Sequence, residues 1–321
     1  MVTESTVQMG NPANVDRTEK QVLRGAKSLY SLRPLTLYPR QLQHEDWQHR
    51  SLASYVKEAI WSYFHERNQT VPFPVIWHRE LKVTLNLGDE LSRPIFVDGC
   101  YDPNEFVFLE NTLAPGAVMV DVGAHEGIYS LFAARCVGEG GRVWSVEPSK
   151  RERKHLVHNI KRNDLRNLNV LGVAAGHSDG KASLQIAEGT RSGRNMLIAD
   201  STRSERCVGL EAITVRSLDS LAAQHNWTRL DVLKIDAEGE EIRILRGASR
   251  ILKELRPIIL FEADQNLESS NGNSVPELIE GLRAHDYIVH GFNPATGLPN
   301  SAPNCDDLNL VAFPREKTTP L

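Results

Sequence analysis

The chain predicts an α/β fold, a doubly wound and mostly parallel sheet of seven strands, and three features carry that prediction. Apolar runs at 118–122, 142–146, 168–175, 230–235 and 257–262 alternate with helical patterns, the signature of parallel strands joined by helical crossovers. The first run stops at Asp121 and breaks into the turn Gly123-Ala-His-Glu-Gly127, and the second closes at Glu147-Pro148. A strand, loop, helix and strand ending in an acid is how nucleoside cofactors are held, because glycines let backbone approach the ligand and carboxylates accept from ribose hydroxyls or an amino group. Last, the runs at 287–292 and 308–313, joined through Asn293-Pro-Ala-Thr-Gly297, read as an antiparallel C-terminal hairpin.

Taken in order, residues 1–25 read as a polar leader with little to bury. Between Gln41 and Asn68 the positions Trp47, Leu52, Tyr55, Val56, Ile60, Tyr63 and Phe64 recur at helical steps and make one apolar stripe. Pro72 and Pro74 punctuate the chain after it, and 75–77 with 81–87 suggest a hairpin whose second strand alternates. Residues 129–136 form an apolar helix face, and a helix carrying Leu156 and Ile160 comes after Pro148. The stretch 189–211 holds arginines, Arg191 and Arg194 among them, with few apolar anchors, and reads as a lid or a solvated loop. The expected division is therefore a leader (1–25), an N-terminal helix and hairpin extension (26–98) and a cofactor-binding domain (99–321).

Composition sets limits on function. The 321 residues are 40% hydrophobic and 24% charged, as in globular proteins. A net charge of −4 leaves no basic footprint for nucleic acid. Cys100, Cys136, Cys207 and Cys305 are scattered without a CxxC pair, which argues against a zinc knuckle or a disulfide framework. The start lacks the apolar core of a signal peptide and no stretch reaches the length of a membrane span, so a cytoplasmic location is expected.

The glycine turn discriminates between cofactors. A dinucleotide fold wants G-x-G-x-x-G with a bare central glycine against the pyrophosphate, whereas His125 stands at that place. Asp121 would repel phosphates and favour an ammonium group. S-adenosylmethionine, with an ammonium, a sulfonium, a ribose diol and no phosphate, suits this turn better than NAD.

The order Asp121-Val-Gly-Ala-x-x-Gly, Val-Glu-Pro148, Asn159, Asp231-Val-Leu-Lys-Ile-Asp-Ala-Glu-Gly-Glu-Glu241, Leu245-Arg-Gly-Ala248, Arg256-Pro257 and Phe261-Glu262 resembles the FkbM-type methyltransferases. These are class I, Rossmann-like enzymes that use S-adenosylmethionine, best known for O-methylation of sugars and secondary metabolites. Relatives commonly carry Asn and a hydrophobic or polar residue at the places of His125 and Glu126. The resemblance implies that Asp121, Gly123, Ala124, His125 and Gly127 lie along the methionine half of the cofactor. It further implies Glu147 and Pro148 at the ribose, Ala174, Ala175 and Ser178 at the adenine, and Asp236 at the methyl region.

Methyl transfer to a hydroxyl is helped by a general base within hydrogen-bond reach of the acceptor. The candidates at strand ends are His125, Asp236, Glu238 and Glu262, with Lys234 tuning Asp236 from the same strand face. Glu240 and Glu241 read as a solvated first helical turn. A divalent metal held by Asp236, Glu238 and Glu262 is an alternative use of the acids. Tyr101, Asp102 and Glu105 are expected at the edge of the acceptor pocket. The leading function is O-methylation of a small hydroxylated acceptor. Methylation of a carboxylate or amine, with lid arginines recognising an acidic acceptor, a non-catalytic cofactor-binding scaffold and a dinucleotide oxidoreductase remain as alternatives.

Overall fold

A computed structural model describes residues 17–30, 52–198, 207–270, 272–293, 296–299, 302–303 and 307–317. Helix α1 (Arg17–Tyr30) precedes α2 (Leu52–His65), the ribbon β1 (Val71–Trp77) and β2 (Leu81–Leu87), and α3 (Pro103–Thr112). Then come β3 (Val118–Val122), α4 (Ile128–Val137), β4 (Arg142–Val146), α5 (Lys150–Arg162) and β5 (Leu168–Leu171). The short β6 (Ala174–Ala175), β7 (Gly180–Ala187), β8 (Met196–Ile198) and β9 (Cys207–Arg216) lead to α6 (Leu218–Gln224) and β10 (Val232–Ile235). The chain ends with α7 (Glu241–Arg246), β11 (Ile258–Glu262), α8 (Gln265–Ser270), α9 (Val275–Arg283), β12 (Tyr287–His290) and β13 (Asn309–Pro314).

Seven strands form one sheet in the order β12-β13-β11-β10-β3-β4-β5. All pairings from β11 through β10, β3 and β4 to β5 are parallel, and every residue of β10 is buried, as expected of a strand covered on both faces. Successive strands run outward from β3 in both directions, β4 on one side and β10 on the other. That reversal creates a crevice above their carboxyl ends, where open α/β sheets take ligands.

Five readings of the sequence change. Residues 17–25 belong to α1, in which Ala26 is buried, while residues 1–16 and 41–51, with Gln41 and Trp47, lie outside the described residues. The run 168–175 splits after Leu171, because β6 leaves the large sheet and pairs with β9 in a second sheet ordered β6-β9-β7-β8. The supposed loop 189–211 supplies a 3-10 turn (Gly189–Arg194), β8 and the start of β9, with 199–206 outside the described residues. The C-terminal strands do pair antiparallel, but β13 also pairs with β11 and so lies inside the sheet rather than at its edge. Finally, Glu240 and Glu241 are buried, 5% and 1% exposed; Glu241 Oε1 turns inward to accept the Ala237 N–H at 2.7 Å. No helix of the described residues is long and apolar enough to cross a membrane.

The N-terminal ribbon docks on the large sheet through α5. Asn159 Oδ1 accepts the Thr84 N–H at 2.8 Å, and Asn163, one turn on, accepts from Lys82 N at 2.8 Å and donates to Lys82 O at 2.9 Å. Side chains four apart on a helix thus meet backbone groups two apart on a strand. Trp77, Leu81, Val83 and Leu85 share one core with Phe106, Tyr129 and Phe132 of α3 and α4.

Candidate active site

A cavity opens at the reversal point. Gly123 and Ala124 after β3, Glu147 and Pro148 after β4, and Asp236, Ala237 and Glu238 after β10 form its floor. Leu85, Leu91, Ser92 and Ile95 from the extension, Leu184 and Leu197 from the second sheet, and Ser192 from the 3-10 turn between β7 and β8 form its walls. None of these wall residues belongs to a motif; all but Leu184 fall in the stretches 41–102 and 189–211, where motif content is least and from which an acceptor pocket would be built.

Gly123 sits at φ +75°, and a Cβ there would stand 1.7 Å from the Asp236 carbonyl oxygen. The glycine is therefore required by the approach of β3 to β10 as well as by the ligand. Asp121 and Gly127, expected at the cofactor, do not line the cavity. Asp121 is fully buried beneath it, accepting from Ser130 Oγ at 2.5 Å and lying 3.5 Å from Lys234 Nζ. Gly127 (φ +91°) makes room for Leu156, whose Cδ1 lies 2.2 Å from where a Cβ would fall. Ser178 is exposed and outside the cavity, because the chain leaves the large sheet before reaching it. Ala174 and Ala175 do line it.

Glu147 is buried and its carboxylate is aimed by backbone, Oε2 accepting from His125 N at 2.9 Å and Oε1 from Ser149 N at 2.8 Å. Burial, then the charge of Glu152, push it up to about 7, against the two N–H donors and Arg153. His125 has φ +48°, a left-handed conformation that Asn and His adopt more readily than most residues. Backbone geometry therefore suits a histidine at this place. Its Nε2 lies 3.8 Å from Glu152 Oε1, and Glu152 accepts from Arg151 Nε at 2.7 Å. The ring thus faces a buried carboxylate. His125→Asn is expected to keep affinity for S-adenosylhomocysteine within about threefold, measured by calorimetry, whereas His125→Val loses more because a β-branched residue resists φ > 0. A large loss in the Asn variant would restore a role for the ring.

At the other pole Lys234, 5% exposed along its side chain, lies 3.1 Å from Asp236 Oδ2 and 3.5 Å from Asp121 Oδ1, with Nζ 4.5 Å above the Tyr129 ring. Burial opposes its charge, but Asp236 and Asp121 outweigh burial and hold the ammonium above its usual range. Glu238 adopts φ +55°, an uncommon conformation for a non-glycine residue, and lines the cavity. Burial, then Asp236, raise it to about 8. Glu262 does not line the cavity; burial and the neighbouring Asp236, Glu238 and Glu241 raise it to about 10. Tyr101 lines the cavity, while Asp102 and Glu105 lie behind it, Asp102 accepting from Tyr129 Oη at 2.8 Å. Of the arginines in 189–211, Arg194 Nη2 lies 3.0 Å and Arg191 Nε 3.6 Å from Glu90, and Arg203 and Arg206 fall outside the described residues. Among the described residues no group of three or more His, Cys, Asp or Glu is placed to hold a metal ion.

The donor set suits S-adenosylmethionine. Glu147 offers two carboxylate oxygens to a diol, Ala174 and Ala175 leave space for a flat ring, and the acids at the β10 end complement a cation.

The family model for the Methyltransferase FkbM domain matches residues 121–289. A curated relative is the AMB antimetabolite synthetase AmbE of Pseudomonas aeruginosa, 26% identical over an alignment 250 residues long that covers 66% of this chain and 11% of the synthetase. Solved structures with similarity include the methyltransferase FkbM from Methylobacillus flagellatus KT, at 19% identity and TM-score 0.38 over 91% of this chain and 59% of that one. Another is SMU.1697c from Streptococcus mutans, a putative methyltransferase in complex with SAH, at 8% identity and TM-score 0.39 over 65% of this chain and 94% of that one. With the matched domain spanning more than half of its residues, the chain belongs to the FkbM methyltransferase family.

Proposed function

We propose that the protein methylates a hydroxyl of a sugar, glycoside or other natural product, with Glu238 as the proton acceptor. The observation that carries this reading is the placement of Asp236 and Glu238 together on the cavity floor, opposite the aliphatic wall of Leu85, Leu91 and Ile95. Bound S-adenosylmethionine supplies an already activated methyl group, so the protein's task is to hold the acceptor and remove its proton. Glu147 would hold the ribose. Asp236 is engaged by Lys234 at 3.1 Å, which leaves it as a fixed charge beside the reacting groups, whereas Glu238 lines the cavity with Arg194 acting on it as a more distant positive charge, and its carboxylate is left to meet the acceptor. The division into an extension up to residue 98 and a cofactor-binding part from 99 fits this reading, since the extension contributes wall rather than floor.

Of the arginines that would recognise an acidic acceptor, Arg191 and Arg194 lie against Glu90, while Arg203 and Arg206 are outside the described residues. An amine acceptor is the second reading, favoured by the three acids Asp236, Glu238 and Glu240 on the lining.

Mass spectrometry with trideuteromethyl-labelled S-adenosylmethionine and a panel of glycosides and amino sugars separates the two. Label on oxygen is the expected result, and label confined to nitrogen overturns it. With the acceptor in hand, kcat/KM should rise with pH through about 8, the region to which burial and Asp236 raise Glu238, because the base must be ionised to act. Glu238→Gln should lower kcat by about 100-fold or more and abolish that limb.

A further inference from the structure

The corner between β4 and α5 is gripped from two sides. From the turn after β3, the His125 N–H reaches the Glu147 carboxylate, which also receives the Ser149 N–H. From α5, Arg153 Nη1 donates to the carbonyl of Glu147 at 2.8 Å and to that of Pro148. Gly172, just after β5, leaves room for this guanidinium: a Cβ there would stand 3.1 Å from Arg153 Cζ and Nε. Arg153 itself does not line the cavity.

Two carbonyls converging on one guanidinium hold the peptide planes of residues 147 and 148 in a fixed relation. The Glu147 side chain then departs from a fixed base, and its carboxylate needs no reorganisation on meeting a ligand. We propose that Arg153 is a positioning residue for the cofactor: by capturing the carbonyls of Glu147 and Pro148 it presents the Glu147 carboxylate to the ribose hydroxyls. The inference rests on the assignment of Glu147 to the ribose.

Charge gives the arrangement a second signature. The charged groups around Glu147 are Glu152 and Arg153 on α5, with the His125 ring on the turn and Arg151 beyond Glu152. Glu152 opposes ionisation of Glu147 and Arg153 favours it. Loss of the guanidinium therefore moves the ionisation of Glu147 to higher pH, an effect that loosened packing alone does not produce.

The test is calorimetric titration of S-adenosylhomocysteine, between pH 5.5 and 8.5, into the wild type, Arg153→Met, Arg153→Lys, Glu147→Gln and the double variant Glu147→Gln/Arg153→Met. Arg153→Met should weaken binding about tenfold at pH 7 and shift the pH midpoint of affinity upward. The double variant should bind no more weakly than Glu147→Gln alone, because both changes remove one arrangement. Arg153→Lys keeps the charge without the two-carbonyl grip, so it should lose affinity while keeping the wild-type midpoint. It carries the test if the Met variant fails to fold, and wild-type affinity in it would then overturn the proposal. Additive losses in the double variant, or an Arg153→Met that binds like wild type, also overturn it. If Glu147→Gln binds like wild type, the ribose assignment falls and the proposal with it; if Glu147→Gln is weak and Arg153→Met is not, only the proposal falls.

Discussion

Lys234→Met is expected to lower the free energy of unfolding by about 3–5 kcal/mol, because it leaves a carboxylate buried without its counter-charge. Asp121 is fully buried and Lys234 is the cation beside it, at 3.5 Å, with Ser130 Oγ as the other contact. The burial of Lys234 rules out discounting the pair as a screened surface bridge. Urea denaturation of the single variant against Lys234→Met/Asp121→Asn checks the cause. The double variant should recover much of the loss, since it removes the orphaned charge along with its partner. If the double is as unstable as the single, the cost lies in packing against Tyr129 rather than in the charge.

Glu147→Gln is the substitution with the largest expected effect on the cofactor. Each hydrogen bond from a ribose hydroxyl to an ionised acceptor is worth about 1.5–3 kcal/mol, so losing the charge should weaken S-adenosylhomocysteine binding by roughly 10- to 100-fold. The pH dependence comes from the same residue. Burial, then Glu152, raise Glu147 to about 7 in the free protein, and the ligand favours the ionised form. Affinity is therefore full above that pH and falls as pH drops through it, by up to about tenfold per unit. Binding near pH 6.5 should release a proton, visible as a buffer-dependent calorimetric enthalpy. The Gln variant should show neither the slope nor the proton. A wild-type affinity that is flat from pH 5.5 to 8.5 would remove Glu147 from the ribose.

Much of the large sheet was legible because its strands are apolar runs of one kind. β3, β10 and β11 carry acids at or beside their last residues, and the registers Lys234 opposite Asp121 and Ile235 opposite Val122 bring those strand ends together, as their order in the chain implied. The second sheet was not legible. β9 exposes Val208 and Leu210 while burying little, so its apolar residues do not mark an inward face. Ser178 was expected at the adenine from a strand taken to run to Ala175; that strand ends at Leu171, and Ser178 lies outside the cavity lining. Asp121 and Gly127 were recognised by motif, yet a motif records that a residue is needed without saying whether ligand or packing needs it. Glu240 and Glu241 fitted the usual preference of acids for a first helical turn; the inward bond from Glu241 to Ala237 N depends on a turn conformation that the sequence pattern does not reveal. His125 looked like an exception until its left-handed backbone was seen.

The asparagines of α5 have a consequence for the behaviour of the protein among its own copies. A two-stranded ribbon has two open rims, and each invites another chain to extend it. On β2 the outward N–H and C=O of Lys82 are already satisfied by Asn163, and the N–H of Thr84 by Asn159. On β1 the positions opposite Thr84 and Asn86 are Pro74 and Pro72, which have no N–H to offer. Both rims are therefore partly blocked to strand recruitment, one by occupation at Lys82 and Thr84 and one by omission at Pro72 and Pro74, so the ribbon can wall a cavity while offering a poor template for intermolecular β pairing.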